Sequence, residues 1–193
     1  MKYNFFLGLI LTLLTLQTYA EESLKSKYAG QESRKIKSLS QADIKELQRG
    51  GGWGLAKAAE LNGYPGPAHI LEMKDKINLS DKQELKIQSI YNEMKVEAIQ
   101  LGKQLILLEI ELNNAFSNKT INQSQLEKLV QDIEKTRAEL RLVHLSKHLQ
   151  TPDVLSNEQI ALYNKLRGYS KDPCQNVPEG HDEQMWKAHN GCQ

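Results

Sequence analysis

Aromatic residues are scarce in this chain: three Phe, two Trp and seven Tyr in 193 residues, where a quarter of the side chains are charged. With Leu, Lys, Glu, Gln and Ala making up the bulk, that composition favours an all-helical protein. Net charge is equally slight, formally +1. The first twenty residues carry Lys2 and no acid, so beyond them 24 basic residues face 24 acidic ones. Without a basic excess there is no electrostatic case for nucleic acid as a partner. Signatures of catalysis are missing too: no Ser, Thr or Cys sits in a nucleophile motif, and there is no dinucleotide fingerprint. Gly50-Gly51-Gly52-Trp53-Gly54 is rich in glycine but lacks the lysine and the preceding strand of a phosphate loop. A non-catalytic protein is expected.

Long apolar runs are confined to the start. Lys2 precedes a run from Phe5 to Leu16, and Thr18-Tyr19-Ala20 offers small residues where a signal peptidase cuts. About 12 residues fall short of the roughly 20 that a membrane helix needs, so residues 1–20 read as a cleaved secretory signal. No later stretch suggests stable membrane insertion. The expected location is the periplasm. Cysteine is limited to Cys174 and Cys192. In an oxidising compartment these read as a disulfide closing a tail loop, worth about 3 kcal/mol in loop entropy. The rival is a metal site shared with His181 and His189, whose spacings match no common zinc pattern.

What is present is helical punctuation. Leu79-Ser80-Asp81-Lys82-Gln83 and Leu155-Ser156-Asn157-Glu158-Gln159 are near copies. In each, the serine hydroxyl accepts from a backbone N–H of the first turn, and the glutamine reaches back to the serine N–H. Leu39-Ser40-Gln41-Ala42-Asp43 is a third such start, opening a short helix that ends at Gly50. Trp53 and the run Leu55 to Leu61 are expected to form another brief helix, with Trp53, Leu55 and Leu61 packing this entry segment onto the main body. Pro67 then starts a helix running to about Lys76. From Ser80 no breaker occurs before Ser117. Ile87, Ile90, Met94, Ala98, Leu101, Leu105, Leu108, Leu112 and Ala115 step by threes and fours, the seam of a packed helix. Gly102 inside it suggests close approach of another helix. Asn122 restarts the chain into a helix carrying Leu126, Leu129, Ile133, Leu140 and Val143 inward, ending before Pro152. A last helix runs from Ser156 to Leu166.

The expected fold is therefore all-α: a long antiparallel helical hairpin with short flanking helices. A rod of about 36 residues is roughly 54 Å long, too long for a globule of this mass, so an elongated helical shell and a dimer are expected. The chain divides into a signal (1–20), an arm with short helices (21–64), a helical domain (65–168) and a cysteine-bearing tail (169–193).

The two L-S-x-x-Q pentads flanking a hairpin resemble the repeated L-T-x-x-Q signature of the Spy/CpxP family of periplasmic proteins, with Ser for Thr. The resemblance covers residues 65–168. It implies a cradle-shaped homodimer of envelope stress, an ATP-independent chaperone for unfolded clients, with Leu79, Ser80, Gln83, Leu155, Ser156 and Gln159 as family positions. An inner-membrane sensor protein is the other implied partner. Arg137 and Arg141 form a basic stripe suited to acidic client segments.

His69 and Met73, and His144 and His148, are each four apart on a helix, so each pair shares a face. If the ends of the two helices meet, three imidazoles and a thioether converge on one ion, a set suited to Zn, Cu, Ni or Co, with Glu72 as a further oxygen. The competing reading makes the histidines a wetted basic flank and Met73 ordinary core. The metal-responsive CnrX/ZraP-type relatives look similar, and the H-x-x-x-M step His69–Met73 echoes their sites. This resemblance implies a heavy-metal sensor or resistance protein as the alternative function. No cofactor is required by either reading. The Glu of an H-E-x-x-H hydrolase is absent.

Overall fold

A computed structural model describes residues 25–169, 174, 177, 179–189, 191 and 192. The expected signal (1–20) lies outside them. The chain divides into two units, Met1–Ser38 and Leu39–Gln193. In the first, the described residues 25–38 form successive turns, closed by bonds such as Ala29 N–H to Ser26 C=O and Arg34 N–H to Gln31 C=O.

The second unit is all-helical. Its helices are α1 (Gln41–Arg49), α2 (Lys57–Glu60), α3 (Pro67–Glu72), α4 (Asp81–Ser117), α5 (Gln123–Gln150), α6 (Asn157–Leu166) and α7 (Glu183–His189), with one 3-10 turn at Pro152–Val154. The 37 residues of α4 make a rod of about 55 Å. Packed against it, α5 runs antiparallel. Lys147 Nζ meets Glu93 at 2.9 Å and Arg137 Nη2 meets Glu109 at 3.2 Å, so positions rise along one helix as they fall along the other. This is the expected helical hairpin.

Each helix start is built as its sequence demands. Ser40, Ser80 and Ser156 each accept from the backbone N–H three residues on, and the side chain there accepts from the cap N–H. Glu84, at the position where a hydrophobic staple would fall in α4, instead pairs with Lys74 Nζ at 2.8 Å. Pro67 opens α3, which ends at Glu72, four residues earlier than the sequence suggests. Turns carry the chain on to Asn78, at φ 53°, before the Ser80 cap.

The hairpin is crossed by α1. A β-carbon on Gly102 would lie 2.3 Å from the carbonyl oxygen of Leu47, which is itself buried. Glycine is what admits that backbone. The buried arc of α4 is wider than the expected seam: Gly102, Ile106 and Glu109 are buried, Glu109 under Arg137 of α5, while Leu101, Leu108 and Leu112 are only half so. Two other expectations fail. The Leu55–Leu61 helix shrinks to α2, and Leu61 is exposed rather than anchoring; Leu47 holds the entry segment instead. On α5 the inner face is Leu129, Ile133, Leu140, His144 and His148, with Leu126 and Val143 half-buried.

At the open end of the hairpin lies a cluster of Ile70, Ile77, Ile87 and Tyr163, flanked by Met73, Leu79 and Leu155. Among the described residues no helix is long and apolar enough to cross a membrane. In the tail, Cys174 and Cys192 are bonded, with Cα atoms 5.3 Å apart.

Candidate functional site

The paired motif forms a single knot. Gln83 Nε2 donates to Gln159 Oε1 at 2.8 Å, and Gln159 Nε2 returns a bond to Gln83 Oε1 at 3.2 Å. Each glutamine oxygen also accepts from the N–H of its own cap, Ser80 at 3.0 Å and Ser156 at 2.9 Å. Each amide nitrogen then reaches the carbonyl two residues before the other cap: Gln83 to Val154 at 2.9 Å, Gln159 to Asn78 at 3.2 Å. The arrangement has local two-fold character. Leu79 and Leu155 pack beneath it against the Ile70 cluster. Its chemistry is structural; it fixes where α4 begins relative to α6.

A turn or two away, a cavity of about 480 Å³ opens between α1, the 50–54 loop, α3 and the hairpin. His69, His144 and His148 all line it. Met73 does not; once α3 ends at Glu72, Met73 leaves the helical phase and packs against the Ile70 cluster. A different thioether, Met94 of α4, lines the cavity and is 5% exposed.

The histidines are not a wetted flank. His144 is 2% exposed and its Nε2 has no hydrogen-bond partner. Burial, reinforced by nearby His148, pushes its pKa down to about 4, so the ring is neutral near pH 7. His148 is also buried, with Nδ1 2.7 Å from the carbonyl oxygen of Tyr64. A carbonyl only accepts, so Nδ1 carries a proton and Nε2 is the ring nitrogen not used in this bond. That nitrogen faces Gly66, where a β-carbon would stand 2.6 Å away. His69 is half-buried at the rim, its Nδ1 3.0 Å from Glu72 Oε2.

Behind the imidazoles lies a polar group that the sequence does not single out. Glu60 of α2 accepts from Tyr163 O–H at 2.5 Å and from Arg167 Nε at 3.3 Å, and lies 3.9 Å from His148 Nδ1. Burial and then Glu60 raise the Tyr163 pKa, keeping the phenol protonated. Among the described residues no three His, Cys, Asp or Glu side chains are grouped closely enough to hold a metal ion.

The basic stripe divides. Arg137 is committed to Glu109 and Glu134, and its guanidinium sits 5.0 Å over the Trp53 ring. Arg141 is exposed. In the tail His181 stacks edge-on against Trp186, with ring centroids 4.9 Å apart.

No protein-family model, curated protein or solved structure matches this chain.

Proposed function

We propose that this is an exported, non-catalytic binding protein of the Spy/CpxP kind, holding partly unfolded clients on the outer side of its hairpin without ATP. One observation carries the reading: a row of large apolar side chains stands in solvent on the face of α4 away from the core. Leu85, Val96 and Leu107 are 73, 59 and 66% exposed. They are eleven residues apart, three turns each, so they form a stripe that drifts only about 20° per step. On α5, Leu142 and Leu149 are exposed seven residues apart. Scattered exposed leucines are ordinary; it is the alignment of these three along one face of the rod, about 16 Å apart, that supports the client-holding reading. Arg141 supplies a free positive charge for acidic client segments. A homodimer and a periplasmic location belong to the same reading.

The test is suppression of aggregation of an acid-unfolded client at substoichiometric chain. Suppression that is lost in Leu85→Ser/Val96→Ser/Leu107→Ser, with helix content unchanged, supports the proposal. No suppression even at tenfold excess of chain sinks it.

A second reading, a metal-responsive protein, is favoured by the unpartnered Nε2 of His144 in a cavity that also holds His148, His69 and Met94. Calorimetric titration with Zn, Cu, Ni and Co checks it. Uptake that disappears in His144→Ala and His148→Ala is expected; no uptake at micromolar metal removes it.

A further inference from the structure

This inference rests on the metal-responsive reading and names the donors and the class of ion. The carboxylates of the cavity are already engaged: Glu60 by Tyr163 and Arg167, Glu72 by His69. A borderline divalent ion held by protein alone wants about four nitrogen, oxygen or thiolate donors. Among the described residues no three of the side chains that could supply them come together. The ligating groups that remain in the cavity are imidazole nitrogen and thioether sulfur. His144 Nε2 is buried without a partner. His148 has Nδ1 bonded to Tyr64, so Nε2 is its nitrogen left to ligate. Met94 contributes a buried thioether.

The hairpin brings all three to the lining of one cavity, Met94 from α4 and the two histidines from α5. Lys147 bonded to Glu93 places position 93 of α4 level with position 147 of α5. Met94 and His148 are each the next residue along, and both face the cavity. His144 lies one turn further down the same face of α5. Gly66 lies so close to the His148 ring that a β-carbon there would stand 2.6 Å from Nε2.

The geometry points to a low-coordinate copper(I) site formed by His144 Nε2, His148 Nε2 and Met94 Sδ. Copper(I) is a soft closed-shell ion, content with two or three ligands, and thioether sulfur selects it over Zn, Ni and Co. Imidazole nitrogen and thioether sulfur ligate as uncharged groups, so the bound ion keeps its single positive charge. His69, bonded to Glu72 at the rim, stands outside this set.

The test is anaerobic competition between the purified full chain and bicinchoninate for copper(I) kept reduced with ascorbate. Zn(II), Ni(II) and Co(II) are titrated in parallel. The expected result is uptake of copper(I) in preference to the divalent ions, with X-ray absorption showing a sulfur neighbour beside the copper. Met94→Leu loses that sulfur signal and the preference, whereas Met73→Leu keeps both. Because the sulfur signal is read on the unmodified chain, the proposal stays open to refutation even if Met94→Leu fails to fold. Copper bound without sulfur overturns the ligand set. Divalent uptake that needs both histidines but not Met94 also overturns it, while leaving the metal-responsive reading intact. A folded chain that takes up no ion overturns both.

Discussion

The side-chain amides of Gln83 and Gln159 clasp each other across the start of the hairpin, each both donating and accepting. Two segments 76 residues apart in sequence are thereby joined by polar groups that are also serving as helix caps. Replacing either glutamine by alanine removes a bond from a cap N–H, from a carbonyl of the other segment and from the partner amide, which keeps its own cap and carbonyl bonds. The expected cost is about 2 kcal/mol for each single change, with the double variant about 1 kcal/mol less costly than the sum. Urea unfolding of the four chains measures this. Strict additivity would mean that the two amides do not act as a pair.

Close approach makes a second prediction. In an open helix Gly→Ala stabilises by about 1 kcal/mol. At Gly102 the new methyl would meet the backbone of Leu47, with the carbonyl oxygen at 2.3 Å and its carbon at 2.9 Å. No rotamer relieves a backbone clash, so α1 has to lift, at a cost of about 1–3 kcal/mol. Gly102→Ala should therefore lower the urea midpoint. In a Trp186→Phe background, Trp53 emission should shift, because Trp53 Nε1 is bonded to Asp43 of α1 at 2.8 Å.

Local signals in the sequence account for most of the fold. The three serine caps, Pro67, Gly102 and the restart at Asn122 each act through neighbours a turn away or through a missing side chain, and each stands where the pattern indicates. The cavity was less legible, because its make-up depends on register between helices. His144 and His148 follow Arg137 and Arg141 in sequence and look like a wetted stripe. The helix carries them inward because Leu140, one turn before His144, is core. By sequence Met73 pairs with His69 while Met94 falls in the packed seam of α4; the end of α3 takes Met73 away from the cavity, and Met94 lines it instead. Glu60 and Tyr163, 103 residues apart, had no signal beyond ordinary helical character.

Arg137 and Arg141 should separate in mutation. Arg137 covers Glu109, whose side chain is 6% exposed. Arg137→Ala leaves that carboxylate buried without its guanidinium and is expected to cost about 3 kcal/mol. Changing Glu109 to Leu as well should recover part of the loss. Arg141→Ala, at an exposed position, should stay within about 0.5 kcal/mol of the parent. Under the client-holding reading it still weakens suppression of aggregation for acidic clients. Thermal melts alongside the aggregation assay distinguish stability from binding.

His144 gives the metal-free chain an acid sensitivity with a defined window. Its folded pKa of about 4 lies below the ordinary 6.5, so between these values the unfolded chain binds the proton and the folded chain does not. Above pH 6.5 the ring is neutral in both states and this term is absent. As pH falls from 6.5 towards 4, stability declines, and the full loss is of the order of 3 kcal/mol below that. Other groups titrate in the same range, so the measurable quantity is the difference between the parent and His144→Leu, followed by urea unfolding from pH 7.5 to 4. The parent should lose more stability than the variant over this span. Parallel curves would mean that the imidazole is solvated, and with it the dry, unpartnered nitrogen on which the metal site depends would be lost.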